Sequence, residues 1–280
     1  MSADLEHARV ERGEVLRVER LGHLIELSAR LPLLAAAVRP GQFAQLRCSQ
    51  STVPLLRRPF SIAWTDGEIC SFVFDEVGVG TRLLGALEPG DTLDVLGPLG
   101  TGFTLASRGP AVCVSGGVGC APFPLLVRAL RRSGVADIIV FNGAATASKL
   151  YPAERFQRGD VNVRVVEATD DGSRGRHGFV TELLDPRQSV AAVYACGPNA
   201  MLASLAAALE GARPAPGSVV EASLEAPMGC GFGTCLGCAL PVRRADAEAA
   251  WALCCTDGPV MPMRDVDWQA LSALPGADVA

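Results

Sequence analysis

Cys230, Cys235 and Cys238 stand in the run Met228-Gly-Cys-Gly-Phe-Gly-Thr-Cys-Leu-Gly-Cys238, a C-x4-C-x2-C pattern. That spacing is the plant-type arrangement for a [2Fe–2S] cluster, which a fourth, more distant cysteine completes. Iron takes thiolate ligands, and a compact centre draws three of them from one curled loop. Gly229, Gly231, Gly233 and Gly237 permit the curl and let N–H groups point at sulfur, offsetting its negative charge. Structural zinc also takes four thiolates, but usually from two short hooks, and the glycine-rich loop favours iron. For the fourth ligand Cys254 and Cys255 compete. Neighbours in a strand face opposite ways, so only one ligates, and spacing does not choose between them.

Two further motifs carry phosphate chemistry. Val114-Ser-Gly116-Gly117-Val-Gly119 follows an apolar run and precedes a helical stretch, the context in which glycines bring backbone up to a pyrophosphate at a helix N-terminus. Arg57-Arg58-Pro59-Phe60-Ser61 offers a cation, a hydroxyl and a ring, or else a surface arginine pair beside an edge strand. Gly78-Val-Gly80-Thr81 opens a short helix and is a second anion candidate. Asp170-Asp171-Gly172-Ser173 is a turn or the rim of a nucleotide pocket. His7, His23 and His177 have no metal-binding spacing, and no Ser/His/Asp arrangement suggests a hydrolase.

The elements that must position these residues fall into three regions. From about residue 8 to 105, short strands are punctuated by turn signals such as Arg39-Pro40-Gly41 and Glu88-Pro89-Gly90-Asp91. This spacing predicts an antiparallel barrel with one helix, over Gly80–Leu87. From about 110, strands at Ala111–Ser115, Ile138–Phe141, Val161–Glu167 and Ala192–Cys196 alternate with helices at Pro122–Arg132, Lys149–Phe156, near Thr181–Leu184 and at Asn199–Glu210. Alternation of this kind predicts a doubly wound parallel α/β domain. Arg213-Pro-Ala-Pro-Gly217 reads as a linker, and the last dozen residues as a loose tail. The expected domains are 1–107, a barrel; 108–217, an α/β domain; and 218–280, a small cluster domain.

Composition narrows the partners. Of 280 residues 49% are hydrophobic and 5% aromatic, so aliphatic side chains dominate the packing. The net charge of −5 and the absence of a dense basic block argue against nucleic acid. No stretch reaches the roughly 18 to 20 apolar residues of a membrane span, and the charged start lacks a signal peptide's apolar core, so a cytoplasmic address is expected. Ten cysteines suit a reducing compartment only if explained individually. Cys48, Cys70, Cys113, Cys120 and Cys196 sit among small or apolar neighbours and read as packed thiols.

The order Arg-Pro-Phe-Ser, Gly-Gly-Val-Gly, Cys196-Gly-Pro-Asn199 resembles the ferredoxin–NADP reductase superfamily. With Thr169-Asp-Asp-Gly-Ser173, the cysteine run and Cys255-Thr-Asp-Gly-Pro-Val260, the chain resembles, over residues 10 to 268, the electron-transfer subunits of NAD-linked (class 1B) dihydroorotate dehydrogenases. The resemblance implies FAD on the barrel. Arg58, Pro59, Phe60 and Ser61 would meet the flavin and its phosphates, Val73, Phe74 and Asp75 the isoalloxazine and ribityl region, and Gly80 and Thr81 the pyrophosphate. It implies NAD(H) at Gly116, Gly117 and Gly119, with Cys196, Gly197 and Pro198 near the nicotinamide, and it selects Cys255 as the fourth cluster ligand. It also implies an FMN-containing, dihydroorotate-oxidising partner in a heterotetramer, serving pyrimidine biosynthesis.

The alternatives are the diaphorase subunit of an NADH-dependent ferredoxin:NADP, sulfide or hydrogenase complex, and a zinc-binding interaction module. Two departures stand out: a long segment between the third and fourth ligands, and Val79 where relatives often carry Lys. Arg174 and Arg176 would favour a 2′-phosphate and Asp170 and Asp171 would oppose it, with a lean towards NAD.

Overall fold

The computed structural model describes residues 7–185, 190–212, 217–244 and 247–274. Strands β1 (Arg9–Leu21), β2 (Leu24–Arg30), β3 (Phe43–Leu46), β4 (Arg58–Asp66), β5 (Ile69–Asp75) and β6 (Thr92–Leu99) close a barrel in the order β1-β2-β5-β4-β3-β6. Every pairing in it is antiparallel. Inward positions alternate, as the two-residue period of a strand requires, and Ile25, Leu27, Ala29, Leu46, Ile62, Phe72, Leu93 and Val95 form the barrel core. Each of the larger side chains contributes about 1.5–3 kcal/mol on burial.

Two helices flank the barrel where one was expected: α1 (Pro32–Ala37) and α2 (Val79–Gly85). Helix α1 was missed because its cap is remote. The Glu11 carboxylate on β1 accepts the backbone N–H groups of Leu33 (3.0 Å) and Leu34 (2.9 Å), satisfying end groups that local sequence leaves open.

The second unit alternates as expected: β7 (Ala111–Gly116), α3 (Phe123–Arg132), β8 (Ile138–Ala144), α4 (Ala153–Gln157), β9 (Val163–Thr169), β10 (Arg176–His177), β11 (Ala192–Cys196), α5 (Asn199–Ala212) and β12 (Val219–Ser223). The helix expected over Lys149–Phe156 begins only after Pro152, whose fixed φ sets its start. The one near Thr181–Leu184 is a single 3-10 turn, Val180–Leu183. Beyond β12 come the hairpin β13 (Ala239–Arg244) and β14 (Ala247–Leu253), then β15 (Val260–Pro262) and α6 (Trp268–Ser272).

The sheet runs β10-β9-β8-β7-β11-β12-β15, parallel except for β15, which lies antiparallel on β12. The boundary drawn at 217/218 therefore falls inside this sheet, and the cysteine segment is an excursion between two of its neighbouring strands. Part of the expected loose tail is helix α6, capped by the Asp267 carboxylate and anchored by buried Trp268. Arg213–Pro216 of the expected linker and residues 275–280 lie outside the described residues.

Barrel and sheet are joined by a polar node. Glu26 of β2, only 5% exposed, accepts from Tyr151 Oη (3.0 Å), Arg158 (3.0 Å) and Arg155 (3.4 Å). A buried charge with three donors fixes orientation more than it adds net stability.

Candidate functional site

On the barrel, β4 and β5 are laddered only from Ile62↔Phe72 to Asp66↔Ile69. Arg58–Ser61 and Val73–Asp75 therefore splay apart, each paired only on its far side, to β3 and β2 respectively. The Phe60 and Phe74 rings meet at 5.1 Å across the base of the gap. Val73 and Phe74 are buried side chains, so what they offer a ligand is main chain.

The two arginines divide their work. Arg57 is committed to the fold: its guanidinium meets Asp94 Oδ1 at 2.6 Å and donates to the Gln45 and Asp94 carbonyls. Among the described residues Arg58 donates only to the nearby Leu56 and Arg57 carbonyls, and it lies against the first turn of α2. A Cβ on Gly80 would come within 3.4 Å of Arg58 Cγ and Nε. The Thr81 hydroxyl is used within that turn, accepting from Gly78 N (3.0 Å) and donating to Gly78 O (3.1 Å). A cationic fork with unused donors, beside a glycine-bearing turn and an unladdered cleft, fits a dinucleotide with a flat ring.

On the sheet, the β7–α3 and β11–α5 loops are pressed together at the strand C-termini. A Cβ on Gly119 would stand 2.3 Å from Cys196 O, and one on Gly116 would stand 3.1 Å from Pro198 Cδ. These glycines, with Gly197, permit loop-to-loop packing. Gly117 (φ 56°) instead faces open space and is the position available to a ligand. Two residues went unnoticed in the sequence. Ser223 is in register with Cys196, and its hydroxyl bears on the Cys196 thiol. Burial pushes that thiol up, and the Glu225 carboxylate pushes it the same way, while the Ser223 hydroxyl draws it down. Only strand register reveals this neighbourhood.

The 170–173 turn is an acidic rim. Asp171 accepts from Ser173 Oγ (2.6 Å) and N (3.0 Å), and that hydroxyl holds its carboxyl below the usual range. Arg174 is paired with Glu167 (2.6 Å) and Arg176 with Glu182 (3.2 Å). Both candidate grips for a 2′-phosphate are thus occupied. The expected result is that NADH exceeds NADPH in kcat/KM by at least about tenfold, 1.4 kcal/mol; side-by-side steady-state kinetics check it, and equal values would refute it.

In the cysteine segment the hairpin absorbs the long stretch between the expected third and fourth ligands. Its ladder pairs Ala239 with Leu253, and Cys254 N donates to Cys238 O at 3.0 Å, so distant residues meet. Alternation then separates the two candidates. Cys254 Sγ turns into the core and donates to Leu224 O (3.4 Å). Cys255 Sγ accepts Gly233 N–H (3.2 Å), and its thiol hydrogen-bonds the Cys238 sulfur.

Cys230 and Cys235 form a second hydrogen-bonded couple, with Cys235 N 3.4 Å from Cys230 Sγ. Burial would raise the Cys230 thiol, but the N–H groups of Phe232 and Cys235 bring it down to about 7. The hydrogen bond from Cys255 brings Cys238 to about 6. The thiols thus gather two and two, and among the described residues no three His, Cys, Asp or Glu groups converge as one ion requires. The three histidines are all exposed.

The family model of the iron-sulfur cluster binding domain of dihydroorotate dehydrogenase B matches residues 225–267, and that of the oxidoreductase NAD-binding domain matches residues 113–206. The structure of an NADH-dependent reduced ferredoxin-NADP oxidoreductase, described for flavin-based electron bifurcation, aligns with a TM-score of 0.78 at 27% identity, covering 92% of this chain and 90% of that one. Barrel, doubly wound sheet and cysteine segment define a reductase of the ferredoxin–NADP reductase fold carrying an iron–sulfur domain. The dihydroorotate dehydrogenase B (NAD(+)) electron transfer subunit of Bacillus caldolyticus is 38% identical over 247 residues, 86% of this chain and 91% of that one; for that of Desulforamulus reducens the figures are 37%, 244 residues, 85% and 90%. The chain belongs to the family of electron transfer subunits of dihydroorotate dehydrogenase B.

Proposed function

We propose that this chain carries electrons between a catalytic subunit that oxidises dihydroorotate and NAD+, in pyrimidine biosynthesis. The observation that carries the reading is the gathering of Cys230, Cys235, Cys238 and Cys255 two and two, in a loop whose Gly231 abuts barrel residue Gln45. When bound, FAD converts between the two-electron chemistry of nicotinamide and the one-electron chemistry of a [2Fe–2S] centre.

This chain's own residues then hold and align. Arg58 and the Gly80–Thr81 turn take the FAD phosphates, and the cleft between Pro59, Phe60 and Ser61 and the main chain of Val73, Phe74 and Asp75 takes the ring. Gly117 admits the NAD(H) pyrophosphate between loops that Gly116 and Gly119 allow to close, and Cys196, Gly197 and Pro198 border the nicotinamide. Cys230 with Cys235, and Cys238 with Cys255, each take one iron. Among the described residues no helix is long and apolar enough to cross a membrane. Ten free thiols suit the reducing cytoplasm.

The partner is the FMN-containing catalytic subunit, in a heterotetramer, and it docks over the cysteine loop. Cys235 is exposed there, and Leu236 is 63% exposed with its backbone at φ 58°. A branched residue held in the left-handed region marks a functional loop. Leu236→Asn, which tolerates that conformation and removes the apolar contact, is expected to weaken subunit association at least about tenfold (1.4 kcal/mol) with the visible spectrum unchanged. Sedimentation of the mixed subunits measures it, and unchanged association places the docking face elsewhere.

The function itself is tested by co-expression with a dihydroorotate dehydrogenase barrel subunit. The expected product is a complex that reduces NAD+ with dihydroorotate. The similarity to the NADH-dependent ferredoxin-NADP oxidoreductase supports the second reading, a diaphorase subunit; a different co-purifying flavoprotein would establish it. Stoichiometric zinc in a colourless protein would sink both.

A further inference from the structure

Gln45 lies on β3, in register with Pro59 of the Arg-Pro-Phe-Ser strand and with Leu96 of β6. It alternates with Ala44 and Leu46, which point into the barrel core, so its side chain emerges on the outer face. There it meets the cysteine loop. A Cβ on Gly231, the residue after Cys230, would stand 2.7 Å from Gln45 Nε2, 2.8 Å from Cγ and 3.2 Å from Cδ. Gly231 also has φ 85°, so glycine alone suits the position, and its bare backbone lets the carboxamide close in.

That carboxamide is fully buried, and neither Nε2 nor Oε1 has a hydrogen-bond partner. Leaving a buried amide unpaired is costly, and native structures rarely do it. Two other buried carboxamides of this chain are provided for. Gln42 donates to Gly100 O (2.8 Å) and accepts from Arg39 N (2.9 Å). Asn142 donates to Tyr151 O (2.8 Å) and takes part in a hydrogen bond with Ser115 Oγ (3.2 Å). Nor is Gln45 mobile by position: it sits in a ladder on both sides, and its carbonyl receives Arg57. A rigid, desolvated donor packed on Gly231, the residue after Cys230, lacks the group it serves.

We propose that Gln45 is a positioning residue for the iron–sulfur site: its Nε2–H donates to the sulfur held at Cys230 and raises the potential of the centre. The inference rests on the assignment of Cys230 as a cluster ligand. A donor aimed at sulfur stabilises the more negative, reduced form, and a hydrogen bond to a charged acceptor is worth about a factor of ten or more.

The test is a redox titration of the intact flavoprotein, reading the EPR signal of the reduced centre in wild type, Gln45→Leu and Gln45→Glu. Both variants lose the donor at nearly constant volume. The expected result is a shift of the one-electron equilibrium towards the oxidised form by about tenfold, about 59 mV, at least as large for Glu as for Leu. Flavin content and flavin absorbance stay as in wild type. If the Leu variant fails to accumulate, the Glu variant alone carries the comparison. An unmoved midpoint in a variant that retains the signal overturns the proposal. So does a shift confined to the flavin, which would give the amide to that cofactor. A wild-type protein without any [2Fe–2S] signal would instead sink the proposed function, so the two failures are distinguishable.

Discussion

Cys255→Ser is expected to abolish the visible absorbance of the iron–sulfur centre and its EPR signal, whereas Cys254→Ser keeps both. The two residues are adjacent and both fully buried, so accessibility does not separate them. Direction does. Cys255 Sγ lies with Cys238 and the Gly233 N–H, and Cys254 Sγ points at the Leu224 carbonyl in the core. A serine hydroxyl at 254 preserves that donor and leaves a small volume defect, about 1 kcal/mol. A serine at 255 removes one of the four proposed thiolate ligands. Iron and acid-labile sulfide analysis of both proteins beside the spectra provides the check. Loss of the centre in the 254 variant with retention in the 255 variant would reverse the assignment.

Asp94→Ala is the second large effect, and it acts on stability. Asp94 is 4% exposed and joins Arg57 at 2.6 Å and Arg12 at 3.3 Å. Arg12 is mostly exposed and adds little, but Arg57 is largely enclosed, and truncating its partner leaves a charge without compensation. A loss of about 3 kcal/mol is expected, lowering the melting temperature by about 6–12 °C for a protein of this size. Because Arg57 also ties the β3 and β6 carbonyls to the start of β4, flavin retention on gel filtration should fall with it. Arg58→Gln is the control, with flavin affinity reduced and melting of the flavin-free protein unchanged. A melting temperature that drops as much for Arg58→Gln as for Asp94→Ala would contradict this division of labour.

Much of this was legible in the chain. The cysteine run announces itself because its candidate ligands are close in sequence, and Gly116–Gly119 because the turn, strand and helix are contiguous. What stayed hidden depends on register and on remote partners. Arg57 and Arg58 look equivalent until Asp94 claims one of them. Helix α1 has no local cap because Glu11 supplies it from another strand. Gln45, Ser223 and Glu225 carry no motif at all; strand pairing alone brings Ser223 beside Cys196, and burial alone marks Gln45. The choice between Cys254 and Cys255 needed either a relative or a strand's alternation.

The adjacency of β12 and β15 has a bearing on how this protein acquires its metal. Residues 224–259 leave the sheet and return to it, with Leu224 N donating to Pro259 O (2.9 Å) and Thr101 fastening Gly258 and Val260. Joining the ends of such a loop removes conformational freedom worth about 3 kcal/mol, by the logarithmic dependence on length. Here strand pairing does that work before any iron arrives. A small zinc finger must gather its chain and its metal in one event and is unfolded without it; this segment is closed in advance by its flanking strands and its own hairpin. Apoprotein should therefore keep its sheet and take up iron and sulfide under native conditions, so that maturation becomes a filling step and not a folding one.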